Sequence, residues 1–340
     1  MRFYSRWMLL FSLVMLLTIG IAPAIAQDST EVLTVYSGRS ESLIGPILEQ
    51  FTAETGVQIE VLYGDTAGVA NQILEEGNNS PADVYIAQDA GALGALASAG
   101  LLSTLPSDIV ERVDAPFISP DAYWVALSAR ARVLVYNPEA LAEAGLELPE
   151  SLLDLTNEAW RGQVGWAPTN GSFQSQITAM RLLLGEETAQ TWLEDMVAND
   201  SVTFDGNTPI VQAVINGEVP VGLVNHYYLF RFLAEDPSIT TRNYYFPGGD
   251  VGALVNIAGA GVLESSDQKG LAQRLVLYLL GDNAQQYFAD STFEYPVIEG
   301  IAINELLTPL AEIQTPDINL TDIDDLEGTL ELIEISGALD

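Results

Sequence analysis

Two adjacent phenols, Tyr227 and Tyr228, sit in the stretch Val221-Gly-Leu-Val-Asn-His-Tyr-Tyr-Leu-Phe-Arg231. An apolar strand pattern ends there at Asn225, a residue type that caps helices, and a helical pattern follows. The C-terminal ends of parallel strands are where open α/β sheets bind ligands. A phenol titrates near pH 10 and is normally neutral, so it does little chemistry by itself. A hard, highly charged cation changes that and binds the phenolate, and the positive end of the helix favours the same charge. An isolated tyrosine pair is more often one core and one surface aromatic, and Tyr244-Tyr245 is read that way.

Other reactive constellations are scarce. His226 is the single histidine and cysteine is absent. Cys-His pairs and His-rich zinc sites are thereby excluded, as is a Ser-His-Asp triad unless His226 is its base. No G-x-S-x-G elbow or P-loop occurs, and no G-x-G-x-x-G follows the first strand. Carboxylates suffice for a two-carboxylate hydrolase, but nothing positive marks one. The pattern points to binding rather than turnover. Thr169-Asn-Gly-Ser172 precedes a helical pattern, and such a loop either holds an anion on free N–H groups or simply turns the chain.

The elements that must position these groups alternate. Leu33 to Ser37 reads as a strand, Glu41 to Thr55 as a helix stopped by Gly56, and Val57 to Leu62 as a strand. Thr66 to Glu76 reads as a helix, Ala82 to Ile86 as a strand and Ala90 to Ala99 as a helix. Helical patterns follow at Ser172 to Leu184, Glu187 to Ala198, Thr208 to Asn216, His226 to Ala234 and Gln268 to Leu280. Strand patterns cover 202–204 and 219–224, with an extended return over 252–263. This order predicts an α/β fold with mostly parallel sheets flanked by helices. The absence of a flexible linker suggests two lobes joined by crossing strands, with Trp124 to Val135 and Val251 to Ile257 as candidates. The acidic stretch from Thr315 keeps leucines and isoleucines from Leu320 onward that allow a closing helix.

Residues 1–26 read as a secretory signal: Arg2 and Arg6, the apolar run Trp7 to Ile21, then Ala24-Ile25-Ala26 as a cleavage site. The run is short for a membrane span. Without cysteine no lipobox is possible, so the expectation is an exported protein of the periplasm or the outer face of the membrane. Cleavage leaves 314 residues, enough for about two domains. The net charge of −35 disfavours nucleic acid and anionic membranes as partners.

Beyond these local signals, the chain resembles the periplasmic ferric-ion-binding proteins, the transferrin-like group of two-lobed (type II) solute-binding proteins. The residues that carry the resemblance run from Leu33 to about Val297. They include Val35-Tyr-Ser-Gly-Arg39, Ser80-Pro-Ala-Asp-Val84, Trp124-Val-Ala-Leu-Ser128, Arg132-Val-Leu-Val-Tyr136, Pro168-Thr-Asn-Gly-Ser-Phe173, Asn225-His-Tyr-Tyr228 and Glu294-Tyr-Pro296. The resemblance implies a monomeric Venus-flytrap protein, not an enzyme, that hands ferric iron to the permease of an ABC importer. It implies Tyr227 and Tyr228 as phenolate ligands, and phosphate or carbonate as an accompanying anion on Asn170, Gly171, Ser172, Asn207 and Asn225. It also implies an N-terminal lobe over 27–130, completed by about 257–307, and a C-terminal lobe over 131–256, completed by 308–340.

Departures from the family pattern concern the first lobe. Where many relatives have histidine and glutamate, this chain has Ser40 and Gln88. Phe173 replaces a third tyrosine of some relatives. Glu41 and Asp89 are the nearest carboxylates that could substitute as ligands, and either serves equally as a first-turn helix charge. Arg39 is expected to neutralise the anion or to make a surface contact, and His226 to be packed. The missing ligands keep open a second reading, the same fold binding a metal-free ligand such as a sugar phosphate, thiamine or a polyamine.

Overall fold

The computed structural model describes residues 32–114 and 117–339, so the signal segment lies outside the described residues. The chain begins with β1 (Val32–Ser37), α1 (Glu41–Thr55), β2 (Gln58–Tyr63), α2 (Thr66–Glu76), β3 (Val84–Ala87) and α3 (Ala90–Ser98). β1 pairs in parallel with β2 and β3, so each intervening helix returns the chain across the sheet, as the alternating pattern requires. Helix α1 buries Leu43, Ile44, Ile47, Leu48 and Phe51, one stripe at helical spacing. It stops at Gly56, whose φ of 79° is left-handed and whose N–H closes on the Thr52 carbonyl.

After the short helix α4 (Ser107–Val110) comes β4 (Trp124–Tyr136), thirteen residues and almost wholly buried. Its first part pairs with β9 (Val255–Val262) and its last part with β7 (Val221–Asn225), both antiparallel. β9 pairs with β3 on its other side. One continuous sheet results, in the order β2-β1-β3-β9-β4-β7-β5-β6, with β4 and β9 at its middle. Both expected crossing strands are therefore real strands. The second departs slightly from expectation: residues 251–253 form a single helical turn, because the Asp250 side chain caps Gly252 there, and the strand proper starts at Val255.

The far half of the sheet carries α5 (Pro138–Glu143), β5 (Val164–Trp166), α6 (Gly171–Leu184), α7 (Glu186–Ala198), β6 (Val202–Thr203), α8 (Asn207–Asn216) and α9 (Tyr227–Glu235). β5 runs parallel to both β6 and β7. Next comes β8 (Arg242–Tyr244), which pairs with β4, so Tyr244-Tyr245 belongs to the scaffold; the Tyr244 hydroxyl donates to the Pro149 carbonyl at 2.8 Å.

α10 (Lys269–Leu279) packs on β9 and on α1, and α11 (Asp282–Asp290) follows it. The acidic C-terminal region forms α12 (Leu326–Ile335), the closing helix that its leucines allow. α12 lies against α6, α7 and α3, and the turn before it sits on α3. This segment thus touches helices from both halves of the sheet. Among the described residues no helix is long and apolar enough to cross a membrane.

Candidate functional site

β7 delivers Asn225 and then stops, and α9 starts two residues later at Tyr227. The step between them is filled by His226, fully buried and pinned to the middle of the sheet. Its Nδ1 accepts the Ala131 N–H at 3.2 Å, its Nε2 lies 2.9 Å from the Phe293 carbonyl, and its ring stacks on Tyr295. With its Nδ1 taken as acceptor, Nε2 is the donor, and burial pushes the imidazole down to about 4. His226 is therefore a packed, neutral residue that fixes the start of α9.

The two phenol rings follow from that geometry. Tyr227 and Tyr228 stack with centroids 4.5 Å apart. Tyr228 lines an open cleft of about 450 Å³, while Tyr227 is wholly buried behind it. The Tyr227 hydroxyl accepts from Gln88 Nε2 at 3.2 Å and from Asn225 Nδ2 at 3.3 Å. Gln88 follows β3 and Tyr227 follows β7, so this contact spans the two halves of the sheet. Burial, with Tyr228 alongside, raises Tyr227 well above the ordinary phenol range. Without a counter-ion it stays protonated.

Around the phenols lies an anion-binding chemistry. Gly171 opens α6, and Asn170 caps it by accepting the Ser172 N–H. The Ser172 hydroxyl lies 3.0 Å from Asn225 Nδ2 and 3.0 Å from Arg130 Nη2. Arg132 donates through Nε to Gln176 at 3.1 Å and through Nη1 to Asn225 Oδ1 at 3.2 Å. Arg130 Nε and Nη1, Arg132 Nη2 and Asn207 Nδ2 are buried without a partner. Burial and, for Arg132, the adjacent Arg130 charge lower both guanidiniums from their usual value. Unpaired buried cations cost several kcal/mol each, and unmet buried donors about 1–3 kcal/mol. Both penalties fall if an anion binds there.

Sequence reasoning did not single out these arginines as site residues, although a signal exists. Arg130 and Arg132 alternate within an otherwise apolar strand, so a two-residue period puts both on one face. Gln88 entered only as a departure from the family pattern, yet it touches both Tyr227 and Ser172.

The other expected residues lie in different places. Asn170, Gly171 and Asn207 line the cleft; Ser172 and Asn225 are buried beside the phenols. Asp89 is buried and caps α3, accepting the Ala92 N–H at 3.0 Å; burial raises its carboxyl, opposed by that N–H and by Arg130. Glu41 is exposed in the first turn of α1, between Ser40 and Ser42, which line the cleft. Arg39 is not at the surface. It is fully buried in an ion pair with Glu294 at 2.6 Å and also donates to Ser128. Burial opposes both charges, but each partner outweighs it, holding Arg39 above and Glu294 below its usual value. Asp65 and Asp205 are the carboxylates that line the cleft. Among the described residues no group of three histidine or acidic side chains is arranged to hold a metal.

Known proteins resemble this chain in sequence and in fold. The sequence profile of bacterial extracellular solute-binding proteins matches residues 36–286. The major ferric iron-binding protein of Neisseria meningitidis serogroup B is 33% identical over 319 residues, 93% of this chain and 94% of its own length. The Fe(3+)-binding periplasmic protein of Serratia marcescens is 31% identical, covering 96% of this chain and 95% of that one. The crystal structure of iron-bound HitA from Pseudomonas aeruginosa superposes with a TM-score of 0.85 at 35% identity, over 90% of this chain and 99% of that one. The fold is that of the type II periplasmic binding proteins, and the chain belongs to the bacterial extracellular solute-binding proteins, in the group of periplasmic ferric iron-binding proteins.

Proposed function

We propose that this chain captures ferric iron outside the cytoplasm for an ABC importer, with Tyr227 and Tyr228 as phenolate ligands and a synergistic anion beside them. The observation that carries the reading is the pair of stacked phenols next to buried, unpartnered N–H donors of Arg130, Arg132 and Asn207. A ferric ion lets the phenols ionise where they otherwise could not. The anion meets the N–H donors that the protein leaves empty and completes the coordination of the metal.

The lobes are the two halves of the sheet, 27–130 with 257–307 and 131–256 with 308–340. They close on the ligand because contacts to it from both sides exist only in the closed state. Gln88 and the Thr66–Gly171 contact are the protein's own part of that closure. No substrate bond is made or broken, and release to a permease follows lobe opening.

The anion is tested by iron titration in buffer freed of phosphate and bicarbonate, with each added back. Affinity should rise by about tenfold or more on addition, the worth of one charge-assisted hydrogen bond of roughly 1.5–3 kcal/mol. Asn207→Ala should blunt that gain. Equal affinity with and without any anion would contradict the role assigned to these donors.

A further inference from the structure

Gln88 holds the Tyr227 hydroxyl from the cleft, and a second grip on the phenols comes from behind. After α11, Thr292, Phe293, Glu294 and Tyr295 form a buried turn. The turn is anchored to the first half of the sheet. Glu294 accepts from Arg39 at 2.6 Å, from Ser128 at 2.9 Å and from Thr292 at 2.8 Å. Its N–H closes on the Phe288 carbonyl, and Tyr295 pairs both ways with Ala129 of β4.

From this anchorage Phe293 reaches the other half. Its carbonyl lies 2.9 Å from His226 Nε2, and its ring centroid lies 6.0 Å from that of Phe230 in the first turn of α9. His226 precedes the phenols and Phe230 follows them, so the two contacts bracket the pair along the chain. Phe293 has a φ of 57°, a left-handed conformation shared among the described non-glycine residues only by Ala122 and Asp200. Glycine is the usual residue where a helix ends this way, and a bulky side chain persists there only when its surroundings over-determine it. A glycine could present the same carbonyl to His226. The ring against Phe230 is what a glycine could not supply.

We infer, resting on the iron reading above, that Phe293 is a positioning residue for the phenol pair. Through His226 and Phe230 it fixes the first turn of α9 against the first half of the sheet. It thereby sets where both phenol oxygens stand toward the metal, without touching the metal itself.

The test titrates metal-stripped Phe293→Leu, Phe230→Leu, His226→Gln and the Phe293→Leu/His226→Gln double variant with ferric citrate beside wild type, and melts each. Each single change should lower iron affinity by about tenfold, as for residues that orient ligands. Each should also shift the phenolate-to-iron absorption band, whose energy follows the iron–oxygen distance and angle. The double variant should lose much less than the product of the two single losses, because both act on one turn. Leu193→Ala, in α7 where it packs on α6 and α12, lowers stability elsewhere and should leave the band in place. A band unmoved by Phe293→Leu and Phe230→Leu, one moved as far by Leu193→Ala, or losses that simply multiply would overturn the inference and leave the iron reading intact. No band in wild type overturns both.

Discussion

Tyr227 shows how much of the candidate site depends on its surroundings. Burial raises this phenol well above its ordinary range, and the same burial places unpartnered guanidinium N–H groups nearby. A bound ferric ion must therefore displace the phenol protons. Above the pH where the protein unfolds and below the phenol range, iron affinity should fall as pH falls, about tenfold per unit for each phenol that ionises. Potentiometric titration during iron binding should record proton release, and Tyr228→Phe should reduce it by about one proton. The tyrosine pair was legible in the sequence because its place, after an apolar strand and before a helix, is a place where α/β folds put ligands. The arginines were not, because charge on a crossing strand reads as an isolated exception until the neighbouring strand shows that both side chains are buried together. Arg39 illustrates the same limit. Its partner Glu294 lies 255 residues away, and no local pattern announces a contact of that span.

At the scale of the element, the decisive feature is the start of α6. A Cβ at Gly171 would lie 2.8 Å from Asp89 Oδ2 and 3.0 Å from Thr66 Cβ. Asp89 cannot swing away without uncapping α3, and Thr66 is held by its hydroxyl bond to the Gly38 carbonyl. Gly171→Ala should therefore hold the halves apart while leaving each half folded. The expected outcome is iron affinity reduced by about tenfold to hundredfold, the range for residues that orient ligands, with a melting temperature shifted by only a few degrees. Calorimetry and iron titration on one preparation check both. Helices and strands with clean periodicity, such as α1 and β7, were readable from sequence because local spacing decides them. Short pieces such as β5, α5 and β8 were not, since tertiary pairing rather than local preference forms them.

For the whole molecule, the C-terminal segment matters most. The turn before α12 packs on α3, and Ile323 and Asp324 approach Gly91 and Gly94 closely enough that neither position would accept a Cβ without a shift. α12 then lies on α6, where Thr329 shares a 2.7 Å hydrogen bond with Thr178 and receives Arg181 Nη1 at 2.8 Å. Sequence reading allowed a helix here and grouped it with the second lobe; an acidic surface helix carries no mark of the neighbours it will have. Thr329→Val removes the hydroxyl that bonds Thr178 and accepts from the Arg181 guanidinium, and should cost about 1–3 kcal/mol, read as a lowered urea midpoint with an unchanged slope. The two-lobed architecture itself was legible, because strand and helix patterns alternate twice with no linker between them.

Everything proposed for the cleft turns on whether the stacked phenols bind ferric iron. Metal-stripped protein titrated with ferric citrate and followed by visible absorption, with the Tyr227→Phe/Tyr228→Phe double variant alongside, tests it most directly. A coloured phenolate-to-iron band should appear, saturate near one iron per chain and be absent from the double variant. A colourless wild type at protein concentrations where tight binding must show, or a band that survives in the double variant, would contradict it.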